Sequence, residues 1–337
     1  MAESIQKARI DFIDFAKALA ILGVALYHYM MPLNPQKWFQ LAITFGGTGI
    51  HLFFFLSGFG LGLSKQTPSW VFYKRRFAKV LAPYFLFVTV IFLFNHWIPF
   101  YPSHDWRDYL SHIFLYKMFF ESHMGSFGFH LWFMSTLIQL YLLVPLLRWL
   151  LGGKQGVWWV FFFTFLSVGY NLFVVLSQHA SMRTWNSFFL AYLWEFALGI
   201  WMGQRRDERL FKLKLPQSLL MWIGGLAGMA LFTLALGQAG RLLNDIFAFL
   251  SITGFVAFTF GLTGKTFSLQ RIRSFFVKAG GYSYEFYLVH YVGYSLLRYY
   301  EKFGWVEYGW WAIPVLLLFS SALAWFLSQT IRLLKLR

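Results

Sequence analysis

Ten apolar stretches recur along the chain, each close to the roughly 20 residues that an α-helix needs to cross a bilayer. They lie near 12–31, 40–63, 78–98, 128–151, 157–178, 184–203, 217–237, 243–263, 280–299 and 309–331. Short polar, basic loops separate most of them. Residues 99–127 are longer and mix His, Asp and Glu with aromatics, which reads as a loop carrying a short interfacial helix. The pattern predicts an all-α integral membrane protein, a bundle of about ten transmembrane helices. The whole chain, 1–337, reads as a single membrane domain with no appended soluble domain.

Composition agrees: 58% of residues are hydrophobic and only 12% charged, about half the charged fraction of a soluble domain. The chain has no cysteine, which excludes a disulfide framework, a thiolate nucleophile and a Cys-based metal site. The net charge of +16 is informative by location. If spans alternate, 22 Lys and Arg residues, with Lys17 among them, fall on the side of the termini, leaving 7 of the 29 opposite. The positive-inside rule then puts both termini in the cytoplasm. No nucleic-acid partner is expected. The first apolar run is too long for a signal h-region and lacks a small-x-small cleavage site, so it reads as an uncleaved span.

That first span, RIDFIDFAKALAILGVALYHYMM, carries Asp14, Lys17 and His28. Helical periodicity returns Lys17 and His28 almost to one face, about 16 Å apart along the axis. Ionisable groups inside a membrane are costly and point to function. The alternative is an Asp14–Lys17 pair that neutralises itself at the interface while His28 marks the far boundary.

Polar residues elsewhere stand out against the same background. The second span has Gly46, Gly47, Gly49, Gly58 and Gly60 for close helix approach, a hydroxyl at Ser57, and His51, which needs a partner. Lys74, Arg75, Arg76 and Lys79 cluster where the third span leaves the cytoplasm. They read either as a headgroup anchor or as a receptor for phosphates. Asp108 and His112, spaced i,i+4, suit a metal or a sugar, or more simply a solvated face; His104 lies in the same loop. His130 opens the fourth span. Asn171 requires only a helix–helix hydrogen bond, whereas Glu195 requires a partner. Spans seven and eight read as scaffold. In the ninth, Ser283, Tyr287 and His290 share a face, with Glu285 nearby.

Six stretches in order carry a family resemblance. They are Asp14 and Lys17 with His28; Gly49–Phe59 (GIHLFFFLSGF); Tyr73–Tyr84 (YKRRFAKVLAPY); His130–Pro145; Trp194–Gly199 (WEFALG); and Gly281–His290 (GYSYEFYLVH). Together they resemble bacterial acyltransferase family 3, the membrane-bound O-acyltransferases that modify surface polysaccharides. The chain departs from the family pattern at Lys17 and Lys79, where Arg is commoner, and at His51, where an acid or Pro is usual.

The resemblance implies transfer of an acyl group, commonly acetyl, from cytoplasmic acyl-CoA to a hydroxyl of a cell-surface or lipid-linked glycan, in the bacterial inner membrane. It implies His28 as general base and Lys17, Arg75, Arg76 and Lys79 as donor-binding groups. Asp14, Ser57, His130, Glu285 and His290 would support the site. No metal is expected. A transporter or flippase of a glycan or small anionic substrate is the competing reading, since it too needs intramembrane charges.

Overall fold

The computed structural model describes residues 2–33, 36, 48–101, 105–205, 213–263 and 270–336, with side chains from Asp11 onward. Gly46, Gly47 and His104, singled out above, lie outside the described residues, as does the start of the second predicted span. The described residues are helical, with no strand among them. Every predicted stretch carries a helix: α1 (Ala2–Met30), α2 (Gly49–Leu63), α3 (Ser69–Trp97), α5 (Trp132–Gly152), α6 (Gly156–Leu176), α7 (Leu193–Arg205), α8 (Leu215–Leu242), α9 (Asp245–Thr263), α11 (Ser283–Glu301) and α12 (Ala312–Leu333). Among the described residues, seven helical stretches are long and apolar enough to cross a membrane.

Their surfaces say what surrounds them. Trp158, Phe165 and Leu176 on α6, Leu220 on α8 and Leu318 on α12 are each at least 70% exposed. Faces this apolar are at home against lipid rather than water.

Among the described residues, two additional helices lie between these stretches. A short helix does form in 99–127, α4 (Trp106–Ile113), opened by the Asp105 carboxylate, which accepts the Asp108 N–H at 2.8 Å. The other, α10 (Gln270–Gly280), falls where only a loop was expected. The sixth predicted span also changes: residues 183–192 form a single turn and a 3₁₀ segment, and the regular helix begins at Leu193. Asn186 holds that turn by donating its side-chain N–H to the Ala180 carbonyl.

The chain divides into two compact units. The first holds residues 1–24, 44–65 and 143–283, with a core of Phe12, Leu52, Phe55, Phe59, Trp194, Ile252 and Phe255. Within it, α2 and α7 meet through glycines on both helices. A Cβ at Gly58 or Gly62 would overlap the carbonyls of Phe196 or Ile200, and one at Gly199 or Gly203 those of Phe55 or Phe59. The small-residue stripe thus brings two backbones into direct contact. Gly60, two residues from Gly58, faces open space.

The second unit holds residues 25–43, 66–142 and 284–337. Ala25, Tyr29, Tyr308, Ala312 and Leu316 form one of its cores. Buried hydroxyls fix its helices. Tyr29 O–H donates to the His290 carbonyl at 2.8 Å, Tyr308 O–H to the Tyr29 carbonyl at 2.7 Å, and Tyr284 O–H to the Val80 carbonyl at 2.6 Å. The Tyr29 and Tyr284 bonds tie the end of α1 and the Val80 turn of α3 to α11.

Candidate functional site

In the second unit, three histidines from distant parts of the sequence share one cluster. The His28 and His290 ring centroids lie 5.4 Å apart, and His130 and His290 4.8 Å apart. Tyr291 meets His28 edge-on at 5.1 Å and stacks on His130 at 5.1 Å. Two of the three rings are aimed by the backbone. His290 Nδ1–H donates to the Tyr287 carbonyl at 2.8 Å, and His130 Nε2–H to the Leu288 carbonyl at 3.2 Å. Carbonyls accept only, so each bond selects the tautomer with its proton on that nitrogen. The remaining nitrogens, His290 Nε2 and His130 Nδ1, are buried with no hydrogen-bond partner among the described residues. Each therefore carries a lone pair that no described residue takes up. His28 is half-buried, and its neighbour Tyr29 is the residue tied to α11. The local order of α1 thus holds the His28 ring beside His290.

Glu285 is almost fully buried on α11, 1% exposed, five residues before His290. Tyr287, on the predicted face of that helix, donates its hydroxyl to the His130 carbonyl at 2.9 Å. Seven residues of helix put Ser283 about 10 Å along the axis from His290, too far for a nucleophile–base hydrogen bond.

The basic residues of α3 divide by exposure. Lys74, Arg75 and Lys79 are exposed, whereas Arg76 is half-buried. Its guanidinium hydrogen-bonds the Tyr141 hydroxyl and lies 4.5 Å over that ring. Tyr73 O–H also donates to the Leu142 carbonyl. Arg76 thus anchors α3 to α5, while Arg75 and Lys79 lie at the surface.

Asp14 and Lys17 belong to the first unit and stand 3.9 Å apart, each about one-third exposed. Ser57 is half-buried on α2. The two groups that needed partners are paired to each other: His51 Nδ1 bonds Glu195 Oε1, with Glu195 wholly buried. Asn171 finds its expected helix–helix bond, donating to Asp245 at 3.3 Å; Asp245 also accepts the Trp194 indole N–H at 2.8 Å. The start of α9 is therefore more than plain scaffold. Glu195→Ala would leave His51 without its partner, and we expect a loss of about 3 kcal/mol. Thermal unfolding in detergent checks this, with the Glu195→Leu/His51→Leu double variant costing less than the sum of the singles.

Asp108 and His112 do not form a solvated face; they are 5% and 0% exposed. The i,i+4 stripe of α4 is instead turned inward onto Tyr84. The Tyr84 hydroxyl donates to His112 Nδ1 (2.7 Å), His112 Nε2–H to Ser126 Oγ (2.8 Å), and Ser126 O–H to the His123 carbonyl (2.6 Å). Because that carbonyl takes the Ser126 proton, this Ser–His contact is not an activated nucleophile. Burial, with the Lys117 charge adding to it, holds His112 well below the usual histidine range, so it stays neutral. Asp108 Oδ1 meets His123 Nδ1 at 2.8 Å. Among the described residues no cluster of three or more His, Cys, Asp or Glu could hold a metal.

An inward-facing polar cluster of this kind, in a helical membrane protein, suits proton transfer to or from a bound hydroxyl. The family model of the acyltransferase domain matches residues 10–329, nearly the full length. The chain belongs to that family, acyltransferase family 3, and is a membrane acyltransferase, which requires an acyl donor and an acceptor. No curated protein and no solved structure matches it.

Proposed function

We propose that the protein transfers an acyl group, acetyl from acetyl-CoA, to a hydroxyl of a cell-surface or lipid-linked glycan, with His28 as general base. The observation that carries this reading is the three-histidine cluster, supported by the family to which the chain belongs. An imidazole is suited to the task because its two ring nitrogens can take up and return a proton. His28 accepts the acceptor's hydroxyl proton as that oxygen attacks the thioester carbonyl. The tetrahedral adduct then collapses, the C–S bond breaks, and the imidazolium returns its proton to the departing CoA sulfur. The acyl group passes directly to the acceptor. A chain without cysteine has no thiol to carry it, and the Ser126 proton is committed elsewhere. His130 and His290, with tautomers set by backbone carbonyls, orient the hydroxyl by their lone pairs, and Glu285 supports the same helix.

Donor phosphates meet Arg75 and Lys79, which are exposed on α3. Arg76 contributes its charge while serving the packing, and the roles of Lys17, Asp14 and Ser57 rest on the family resemblance. In this reading both termini are cytoplasmic, as the basic loops suggest, and the protein resides in the bacterial inner membrane.

The test is acetyl-CoA-dependent acylation of a glycan acceptor by the purified protein in nanodiscs. Direct transfer predicts that no acyl-protein is trapped in a pulse–chase; a chase-competent covalent acyl-protein contradicts it. The double variant Arg75→Ala/Lys79→Ala is expected to raise KM for acetyl-CoA about a hundredfold while leaving kcat nearly unchanged, since each lost charged contact is worth about 1.5 kcal/mol. Unchanged KM removes these residues from the donor site.

A further inference from the structure

Residues 105–131, between α3 and α5, hold a group the proposed mechanism does not use. Lys117 opens a one-turn 3₁₀ helix, Lys117–Phe119, and its side chain is fully buried. Its Nζ has no hydrogen-bond partner among the described residues. The acid it senses is Asp108, one of whose oxygens is bonded to His123. Lys117 in turn lies within electrostatic reach of His112 and of His130, one of the three clustered rings. An ammonium with three donors and no acceptor is costly to bury, and such unpaired groups gather at functional sites.

We propose that Lys117 is the seat for an oxyanion, a carboxylate or phosphate oxygen, carried by the acceptor. The proposal rests on the acyltransferase reading for the word "acceptor", not for the binding itself. The ligand would supply the hydrogen-bond acceptors that the protein withholds and would sit beside His130, placing the rest of the molecule at the cluster. Access opens the turns 117–119 and 121–123, which have no side-chain N-cap bond and are held by the His123–Asp108 bond and by the Ser126 hydroxyl on the His123 carbonyl.

Burial lowers the Lys117 pKa to about 7, so the ammonium titrates within the working range. The titratable groups facing it are Asp108, His112 and His130, with His123 behind Asp108. A ligand that binds only the protonated lysine should bind about tenfold more weakly at pH 8 than at pH 6.

The experiment measures binding to the full chain in nanodiscs of zwitterionic lipid, without acyl-CoA, using sodium glucuronate, inorganic phosphate and glucose. Sulfate replaces phosphate in the pH series because it does not titrate there. The expected result is binding of glucuronate or phosphate but not glucose; which anion binds separates a uronate from a phosphate source. Lys117→Met should weaken that binding at least tenfold while melting no lower than wild type. Lys117→Arg should retain binding and lose the decline with pH. Equal anion binding by wild type and Lys117→Met overturns the proposal, as does failure of both anions to bind wild type. If Lys117→Met does not fold, the pH series decides. A decline that persists in Lys117→Arg belongs to another group and overturns the assignment, and so does a flat wild-type profile. Absence of acyl transfer alongside intact anion binding would count against the acyltransferase reading alone.

Discussion

Replacing His28 with alanine is expected to lower the rate of acyl transfer about 10²- to 10⁴-fold, the usual contribution of a positioned general base. The loss should fall on kcat, because the ring acts on the acceptor's proton and not on the donor's phosphates. KM for acetyl-CoA should therefore stay near its wild-type value. Folding should survive, since His28 is only half-buried and the hydroxyl bonds that fix this end of α1 belong to Tyr29 and Tyr308. His290→Ala and His130→Ala should cost less in rate, because their lone pairs orient and do not accept the proton. His28→Ala with transfer within threefold of wild type would move the base elsewhere in the cluster. Kinetics at matched expression, with acceptor and donor varied separately, distinguish the two cases.

The second large effect is structural. Gly58→Ala and Gly199→Ala are each expected to destabilise the first unit by about 2–3 kcal/mol, because the added methyl has nowhere to go. It would overlap the Phe196 carbonyl in one case and the Phe55 carbonyl in the other, both on the facing helix. Backbone cannot rotate aside as a side chain can, so α2 and α7 must separate. Gly60→Ala is the same chemical change two residues along the same helix. There the methyl meets open space, and lower backbone entropy in the unfolded state should make it neutral or slightly stabilising. Heating each variant in detergent and measuring the surviving monodisperse fraction gives the comparison. Equal loss at Gly58 and Gly60 would refute the close-packed α2–α7 interface.

The apolar runs carried most of the helix pattern, since lipid demands backbone bonds satisfied within each span. They misplaced the start of α7, where Trp185, Phe188, Phe189 and Tyr192 look as apolar as a span but form a turn and a 3₁₀ segment. They passed over α10, whose Arg271, Arg273 and Lys278 resemble a basic loop; Arg273 in fact pairs with Asp11 on α1 at 2.8 Å. His51 and Glu195 each announced a missing partner, yet 144 residues separate them, and only the fold joins them. The same holds for the histidines. Spacing placed His28 against Lys17 on one helix, but nothing local ties it to His130 or His290; those entered through the family resemblance. Asp108 and His112 misled because an i,i+4 polar pair describes a helix face without saying which way it turns. Lys117 gave no signal at all. A single lysine within YKMFF reads as one solvated charge, and its burial is a product of the surrounding turns.

The most direct measurement is transfer of radiolabelled acetyl from acetyl-CoA into membrane glycan, comparing membranes that carry wild type with membranes that carry His28→Ala at equal levels. The account predicts label in a glycan with wild type and essentially none with His28→Ala. Equal incorporation by both would take His28 out of the chemistry. Movement of unmodified substrate without any acyl-CoA requirement would contradict glycan acylation as this protein's activity.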